Sequence, residues 1–145
     1  MIRETEQDKS NQSRILDAFA KKFNLQYLEF SSFSNKYRID ACFWKEGDIV
    51  AWAECKWYTN KAHLMLNVPK YLELYHLSTH TGLPSYLLFR EGDRIGSIII
   101  NNPKRNTKAS KKIILGGGTQ KGRQKNSDDI EPLIKFTEEE IIWII

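Results

Sequence analysis

Three charged residues, Asp40, Glu54 and Lys56, lie inside two segments that otherwise have the composition of half-buried β-strands. Side chains alternate between the two faces of a strand, so Glu54 and Lys56 share one face, roughly 7 Å apart along the backbone. If Glu46–Asp48 forms a three-residue hairpin loop, Asp40 pairs directly with Glu54, and such partners point to the same side of a sheet. The sequence therefore predicts two carboxylates and an ammonium group together on one sheet face.

This combination of groups predicts a particular chemistry. Two close carboxylates repel each other unless a proton or a divalent cation lies between them. Mg²⁺ takes oxygen ligands and keeps several waters, which suits a site with two acids, and Mn²⁺ suits the same ligands. The neighbouring Lys56 could orient or deprotonate an attacking water and neutralise the charge that develops on a phosphate. We therefore predict metal-assisted hydrolysis of a phosphodiester, with Asp40 and Glu54 as metal ligands.

The elements that must position these residues can be predicted from hydrophobic periodicity and turn signals. The chain of 145 residues, 41% of them hydrophobic, fits a single domain over 1–145. A helix is predicted from Glu4 to Phe23, and a second helix has Pro69 in its first turn and ends at Gly82. Strands are predicted at "LQYLEF", "KYRIDACFWK", "IVAWAECKWY", "SYLLFR", "IGSIII", "KKIIL" and "EPLIKF", with a short last helix capped by Thr137 and Glu140. The predicted fold class is α/β.

The pattern of Asp40, thirteen intervening residues and then Glu54-Cys55-Lys56, on a hairpin between two helices, resembles the PD-(D/E)XK nuclease superfamily. Within it, the chain is similar to the small phage and archaeal junction-resolvase-like enzymes. The resemblance covers roughly residues 5 to 100, and Ile39 stands where proline is usual. It implies a restriction-endonuclease-like core, a mixed central sheet flanked by helices, to which this chain adds a C-terminal β-hairpin and a short helix. It also implies DNA as substrate, Mg²⁺ dependence, Asp40 and Glu54 as metal ligands, the Cys55 carbonyl as a further ligand, and Lys56 as the catalytic lysine.

Members of this superfamily often add an acid from the first helix. On the helical stripe that carries Ile15 and Phe19, the upstream positions that face the site are Gln12 and Asp8, whereas Asp17 points away. Gln12 would be a neutral replacement for the usual acid, and Asp8 could substitute for it from one turn earlier. An ordinary capping or surface role remains an alternative for both residues.

A cationic window lies between Arg94 and Asp128, where the sequence has no acid. We predict that it contacts DNA phosphates, because Lys and Arg that displace condensed counterions supply most sequence-independent affinity. The alternative is a solvated loop. The predicted DNA-binding residues are Lys104, Arg105, Lys108, Lys111, Lys112, Lys121, Arg123 and Lys125.

Several classes of function are excluded or disfavoured. No apolar run is long enough to span a membrane and the polar start has no signal-peptide core, so a cytoplasmic, intracellular protein is expected, and the resemblance suggests one encoded by a phage. "LGGGTQKG" lacks the spacing of a phosphate-binding loop, so no nucleotide cofactor is expected. Cys42 and Cys55 are expected to be reduced thiols.

Two functions from different classes remain: a Mg²⁺-dependent DNA endonuclease, and a non-catalytic DNA-binding module with the nuclease fold. Among endonucleases, a junction resolvase, a phage-type homing or nicking enzyme and a restriction-like enzyme stay open. No target-reading helix is recognisable, which favours cleavage guided by DNA structure. One such cluster hydrolyses one strand at a time, so we expect a homodimer, with Ile141 to Ile145 and the "SIII" strand as candidate contacts.

Overall fold

The computed structural model of the protein describes residues 6–30, 39–58, 64–108, 113–116, 119–120, 123–124 and 131–145. Side chains are described at positions 10–30, 39–57, 64–107 and 132–145. Within these ranges there are two α-helices, α1 (Glu6–Phe23) and α2 (Val68–Thr81), and a 3-10 helix (Glu138–Glu140). The strands are β1 (Gln26–Glu29), β2 (Ala41–Lys45), β3 (Asp48–Tyr58), β4 (Met65–Asn67), β5 (Ser85–Glu91), β6 (Arg94–Asn102), β7 (Thr107–Lys108), β8 (Ile113–Gly116), β9 (Thr119–Gln120), β10 (Arg123–Gln124), β11 (Glu131–Lys135) and β12 (Ile142–Trp143).

The main sheet is mixed and has the strand order β1-β2-β3-β5-β6-β12, with β7 paired to β6. Strands β3 and β5 are parallel and are joined through α2, whereas the other pairs in this sheet are antiparallel. A crossover of this kind places the connecting helix on one face of the sheet. The predicted α/β fold with a mixed central sheet flanked by helices is confirmed.

The two faces of the main sheet carry separate hydrophobic cores. The α1 side includes Ile15, Phe19, Ala41, Ala53 and Cys55. The α2 side contains Leu64, Leu66, Tyr71, Leu74, Leu87, Phe89, Ile98, Ile100, Ile134 and Phe136. Side chains alternate along β3, and Ala53 and Cys55 point to the α1 side, so Glu54 and Lys56 point to the α2 side.

The β2–β3 hairpin has a two-residue turn rather than the three-residue loop considered from the sequence. Glu46 and Gly47 both have positive φ, 53° and 85°, which is the conformation that matches the twist of a tight hairpin. Asp48 is already paired with Lys45. A β-bulge then takes up Val50, because Trp44 pairs with Ile49 while Phe43 pairs with Ala51. The bulge restores the register in which Ala41 faces Ala53, the last pair of the two strands, and Asp40 directly precedes Ala41.

Most predicted boundaries agree with the structure. Helix α2 begins after Asn67, whose side chain accepts a hydrogen bond from the Lys70 amide at 2.8 Å, and it ends at Gly82 in the left-handed conformation. The short last helix is a single 3-10 turn, and the amide of Thr137 donates to Glu140 Oε2 at 2.9 Å. The predicted late strands β8 and β11 are antiparallel partners.

The apolar C-terminus packs on the main sheet of its own chain. Ile142 pairs with Ser97 and Trp143 with Gly96. Gly96 has no space for a larger side chain, since an added Cβ would lie 2.6 Å from the ring of Phe89 and 3.0 Å from Ile141. In the part of the chain that the structure describes, no helix combines the length and apolar character needed to cross a membrane.

Candidate active site

Asp40 lies immediately before β2, where the backbone pairing between β2 and β3 stops. On one side, the amide of Phe30 donates to the Asp40 carbonyl at 2.8 Å and continues the β1–β2 ladder. On the other side, the amide of Cys55 donates to Asp40 Oδ2 at 2.8 Å. The Asp40 carboxylate thus accepts a hydrogen bond from the backbone of β3 at the point where β2 and β3 separate. This hydrogen bond holds the carboxylate beside β3.

Glu54 is the most deeply buried acid of the site, at 8% exposure. Its Oε1 atom is buried and has no hydrogen-bond partner within the described residues. Burial raises the pKa of Glu54 to about 8, and the adjacent charge of Asp40 adds to the rise, while the positive charges of Lys70 and Lys56 partly oppose it. The Asp40 carboxyl lies close enough to share a proton with Glu54. This pair therefore has a strong preference for a proton or a cation between its oxygens.

Lys56 follows Glu54 by two residues and lies on the same sheet face, half-buried beside Phe89 of the neighbouring strand. Its charge is close enough to Glu54 to favour the ionised carboxylate. A cavity of about 300 Å³ opens at this end of β3, lined by Cys55, Lys56 and Trp57. The Trp57 side chain is 41% exposed. The cavity gives solvent and ligands access to the neighbourhood of Lys56.

The structure adds Lys70, a cation that sequence reasoning did not single out. It lies in the first turn of α2, and its Nζ atom is 3.9 Å from Glu54 Oε2 and 3.3 Å from Glu73 Oε2. Nothing in the local sequence "VPKYLEL" distinguishes this lysine from a solvated one. The nearby Pro69 predicts where the helix begins, but the contact with β3 depends on how α2 packs.

The two candidates from α1 have different outcomes. Gln12 is buried at 3% exposure, and its amide donates to Glu29 Oε2 at 3.3 Å. Ser13 donates to the other oxygen of Glu29 at 3.1 Å. Glu29 pairs with Ala41, so this cluster lies on the α1 side of the sheet, whereas Glu54 points to the α2 side. Asp8 is on α1, but its side chain lies outside the described residues.

The donor set fits a hard divalent cation. Asp40 and Glu54 offer carboxylate oxygens, and the buried Oε1 of Glu54 lacks a donor from the described protein groups. The Cys55 thiol is buried on the α1 side, and burial raises its pKa well above the ordinary value, so this thiol stays protonated and only the backbone carbonyl of Cys55 remains as a ligand. Among the described residues, no group of three or more His, Cys, Asp or Glu residues could hold a metal ion. A site of two acids that is completed by a carbonyl and waters is the kind that Mg²⁺ prefers.

The predicted DNA-binding residues are only partly described. Lys104 and Arg105 are exposed on the turn between β6 and β7. Glu54 pairs with Leu87 of β5, which in turn pairs with Ile98 of β6. Asn102 at the end of β6 lies four residues beyond Ile98, a distance of roughly 13 Å at the rise of a strand. The turn that carries Lys104 and Arg105 therefore follows the end of β6 that is farther from Lys56. Lys108 ends β7 and Arg123 lies on β10, but their side chains lie outside the described residues. The remaining four residues lie wholly outside the described ranges: Lys111, Lys112, Lys121 and Lys125.

Comparison with known proteins gives a family match over nearly the whole chain. The family described as "Phage putative PDDEXK endonuclease" matches residues 2–141. No curated protein sequence matches the chain. Among solved structures, the chain is similar to Hjc, a Holliday junction resolvase from the archaeal hyperthermophile Archaeoglobus fulgidus. The TM-score is 0.47 at 11% sequence identity, and the similarity covers 63% of this chain and 74% of that chain.

Proposed function

The chain belongs to this family of phage PDDEXK endonucleases, and we propose that it is a Mg²⁺-dependent enzyme that hydrolyses phosphodiester bonds of DNA. The observation that carries the proposal is the Asp40–Glu54 pair. A buried carboxyl with one oxygen lacking a described donor, held beside a second carboxyl, is unfavourable for folding unless it binds something. A divalent cation resolves both the repulsion and the missing hydrogen bond.

Each residue of the cluster has a role in this proposal. Asp40, Glu54 and the Cys55 carbonyl would hold the ion, which would act as a Lewis acid on a phosphate oxygen and lower the pKa of water. The hydrogen bond from the Cys55 amide keeps the Asp40 carboxylate aimed at β3. Lys56 would orient the attacking water and stabilise the negative charge on the phosphate in the transition state. Gln12 and Asp8 remain proposed contributors from α1, and Gln12 would have to leave its hydrogen bond to Glu29 on the α1 side of the sheet to reach the ion.

The substrate class we propose is branched or otherwise structured DNA. The support is the absence of a recognisable target-reading helix from the sequence and from the part of the chain that the structure describes. Phosphate contacts by the eight basic residues of the cationic window would position such DNA without reading its sequence.

Cleavage assays on supercoiled plasmid, linear duplex and four-way-junction DNA test this proposal. Each substrate is incubated with Mg²⁺, with Mn²⁺ and with EDTA. We expect metal-dependent cleavage that is fastest on the junction, because we propose that DNA structure guides the enzyme to its substrate. Equal rates on all three substrates would contradict structure guidance. Cleavage in EDTA would contradict metal dependence, and DNA binding without cleavage would indicate the non-catalytic module instead.

We further propose that the active form is a homodimer. A single Asp40–Glu54–Lys56 cluster acts on one strand, and a two-fold axis matches the symmetry of duplex and junction DNA. Ile142 and Ile145 are 48% and 66% exposed although the tail pairs with β6, which leaves apolar surface for a partner subunit. Sedimentation at micromolar concentration with DNA should give a dimer, and a monomer would contradict this part of the proposal.

A further inference from the structure

Lys70 occupies a position that the physics of its own helix disfavours. It is the third residue of α2, and cations in the first turn are repelled by the positive end of the helix dipole. Its backbone amide is already satisfied by the Asn67 side chain, so the helix start does not need the ammonium group. The reason for a lysine here must therefore lie in what its side chain contacts.

Among the described residues, the side chain of Lys70 contacts two acids. Lys70 Nζ lies 3.9 Å from Glu54 Oε2 and 3.3 Å from Glu73 Oε2, and the side chain is 20% exposed. Glu73 is one turn further along α2, so the i,i+3 pair fixes the direction of the lysine. The ammonium group is held over Glu54 from the helix, while Lys56 approaches from the strand itself.

The formal charges around Glu54 suggest what this second cation does. Among the described residues, and with all groups ionised, Asp40, Glu54 and Glu73 carry three negative charges, and Lys56 and Lys70 carry two positive charges. A divalent ion changes the sum over these five residues from −1 to +1, and one DNA phosphate then brings it to zero. Without Lys70, the same sum would be zero before DNA arrives and −1 after it.

We propose that the Lys70 ammonium group contacts the Glu54 carboxyl in the metal-free protein and contacts the phosphate at the cleavage position once Glu54 holds a divalent ion. The inference rests on the proposed function of the site and adds a residue to it. The ammonium group has a flexible stem and three donors, so it can leave Glu54 for a phosphate oxygen nearby. Lys70 then opposes metal binding and favours DNA binding.

Removing the Lys70 charge should therefore raise the affinity for metal and lower the rate of DNA cleavage. A variant that merely damaged the structure of the site would lower both. The variants are Lys70→Met, which keeps the apolar stem, and Lys70→Arg, which keeps the charge. Lys45→Met serves as a control, because Lys45 is exposed at the turn end of the same hairpin. Circular dichroism melts verify that each variant is folded. Calorimetric titration with Mn²⁺ in the absence of DNA measures metal affinity, and initial rates on junction DNA at saturating Mg²⁺ measure cleavage.

At pH 9, where Glu54 is largely ionised and proton competition is small, we expect Lys70→Met to bind Mn²⁺ about fivefold or more tightly than the wild type. We expect the same variant to lose about tenfold or more in kcat/KM. Lys70→Arg should retain both values within about threefold, and Lys45→Met should match the wild type. Unchanged or weaker Mn²⁺ binding by a folded Lys70→Met protein, or undiminished cleavage, would overturn the assignment. If the wild type binds Mn²⁺ but does not cleave DNA, the proposed function is wrong. The metal titration would still decide whether Lys70 opposes metal binding.

Discussion

Replacing Glu54 by Gln should stabilise the metal-free protein at alkaline pH. Burial and the neighbouring Asp40 raise the pKa of Glu54 from its ordinary value of 4.5 to about 8. Between these values the folded protein keeps a proton that the unfolded chain has released. The free energy of unfolding of the wild type must therefore fall as the pH rises from about 4.5 to about 8, and level off above that. Gln cannot ionise, so the free energy of unfolding of the variant should not show this decrease with pH.

The magnitude follows from the same pKa values. Each pKa unit corresponds to about 1.4 kcal/mol, so the rise at Glu54 corresponds to at most about 5 kcal/mol of stability. Relaxation around the charged group reduces this, and we expect a difference of about 2 to 5 kcal/mol between variant and wild type to develop across the pH window. That is a large part of the stability of a domain of this size.

Urea unfolding in EDTA at pH 5, 6, 7, 8 and 9 measures the effect. Glu46→Gln is the matched control, because Glu46 is an exposed carboxylate on the turn of the same hairpin. The control should follow the wild type at each pH, while Glu54→Gln diverges from it. Addition of Mg²⁺ at pH 9 should raise the free energy of unfolding of the wild type and leave that of Glu54→Gln nearly unchanged. Parallel curves for wild type and Glu54→Gln would refute the reasoning about the buried carboxyl.

The remaining predictions concern catalysis, packing and DNA affinity. Lys56→Ala should abolish turnover and leave the melting temperature nearly unchanged, which a cleavage assay and a thermal melt would check together; appreciable turnover would remove the lysine from the mechanism. Gly96→Ala should destabilise the protein by about 1 to 3 kcal/mol in urea unfolding, since the added methyl has no space; wild-type stability would show that the neighbouring ring can move aside at little cost. Combined neutralisation of Lys121, Arg123 and Lys125 should weaken DNA binding across sequences and flatten its salt dependence, whereas an unchanged slope would mean that these cations are only solvated.

The sequence predicts well what depends on local alternation and turn chemistry. Strict alternation in "AWAECKW" puts Glu54 and Lys56 on one face, and the structure has them there, on the α2 side. Helix α2 has its proline at the start and its glycine at the end, as predicted.

What depends on contacts distant in the chain could not be predicted. The bulge at Val50 compensates for a turn one residue shorter than considered, and two such deviations that cancel leave no trace in the residue pattern. Lys70 reaches Glu54 only through the packing of α2 against β3, and Gln12 meets Glu29 only across the α1–sheet interface. The tail Ile141 to Ile145 pairs with β6 through Ile142 and Trp143, and the residue pattern of the tail does not identify that strand as its neighbour.

Cleavage by the Asp40→Asn protein tests the central claim most directly. Asn keeps an oxygen that can accept the hydrogen bond from Cys55, so the hairpin should remain intact while one negative ligand is lost. Asp48→Asn makes the same chemical change on the first residue of β3, at the far end of the hairpin. With Mg²⁺ and junction DNA, we predict that Asp40→Asn binds the DNA at least as tightly as the wild type and does not cleave it, while Asp48→Asn cleaves at the wild-type rate. Full cleavage by a folded Asp40→Asn protein would contradict the account.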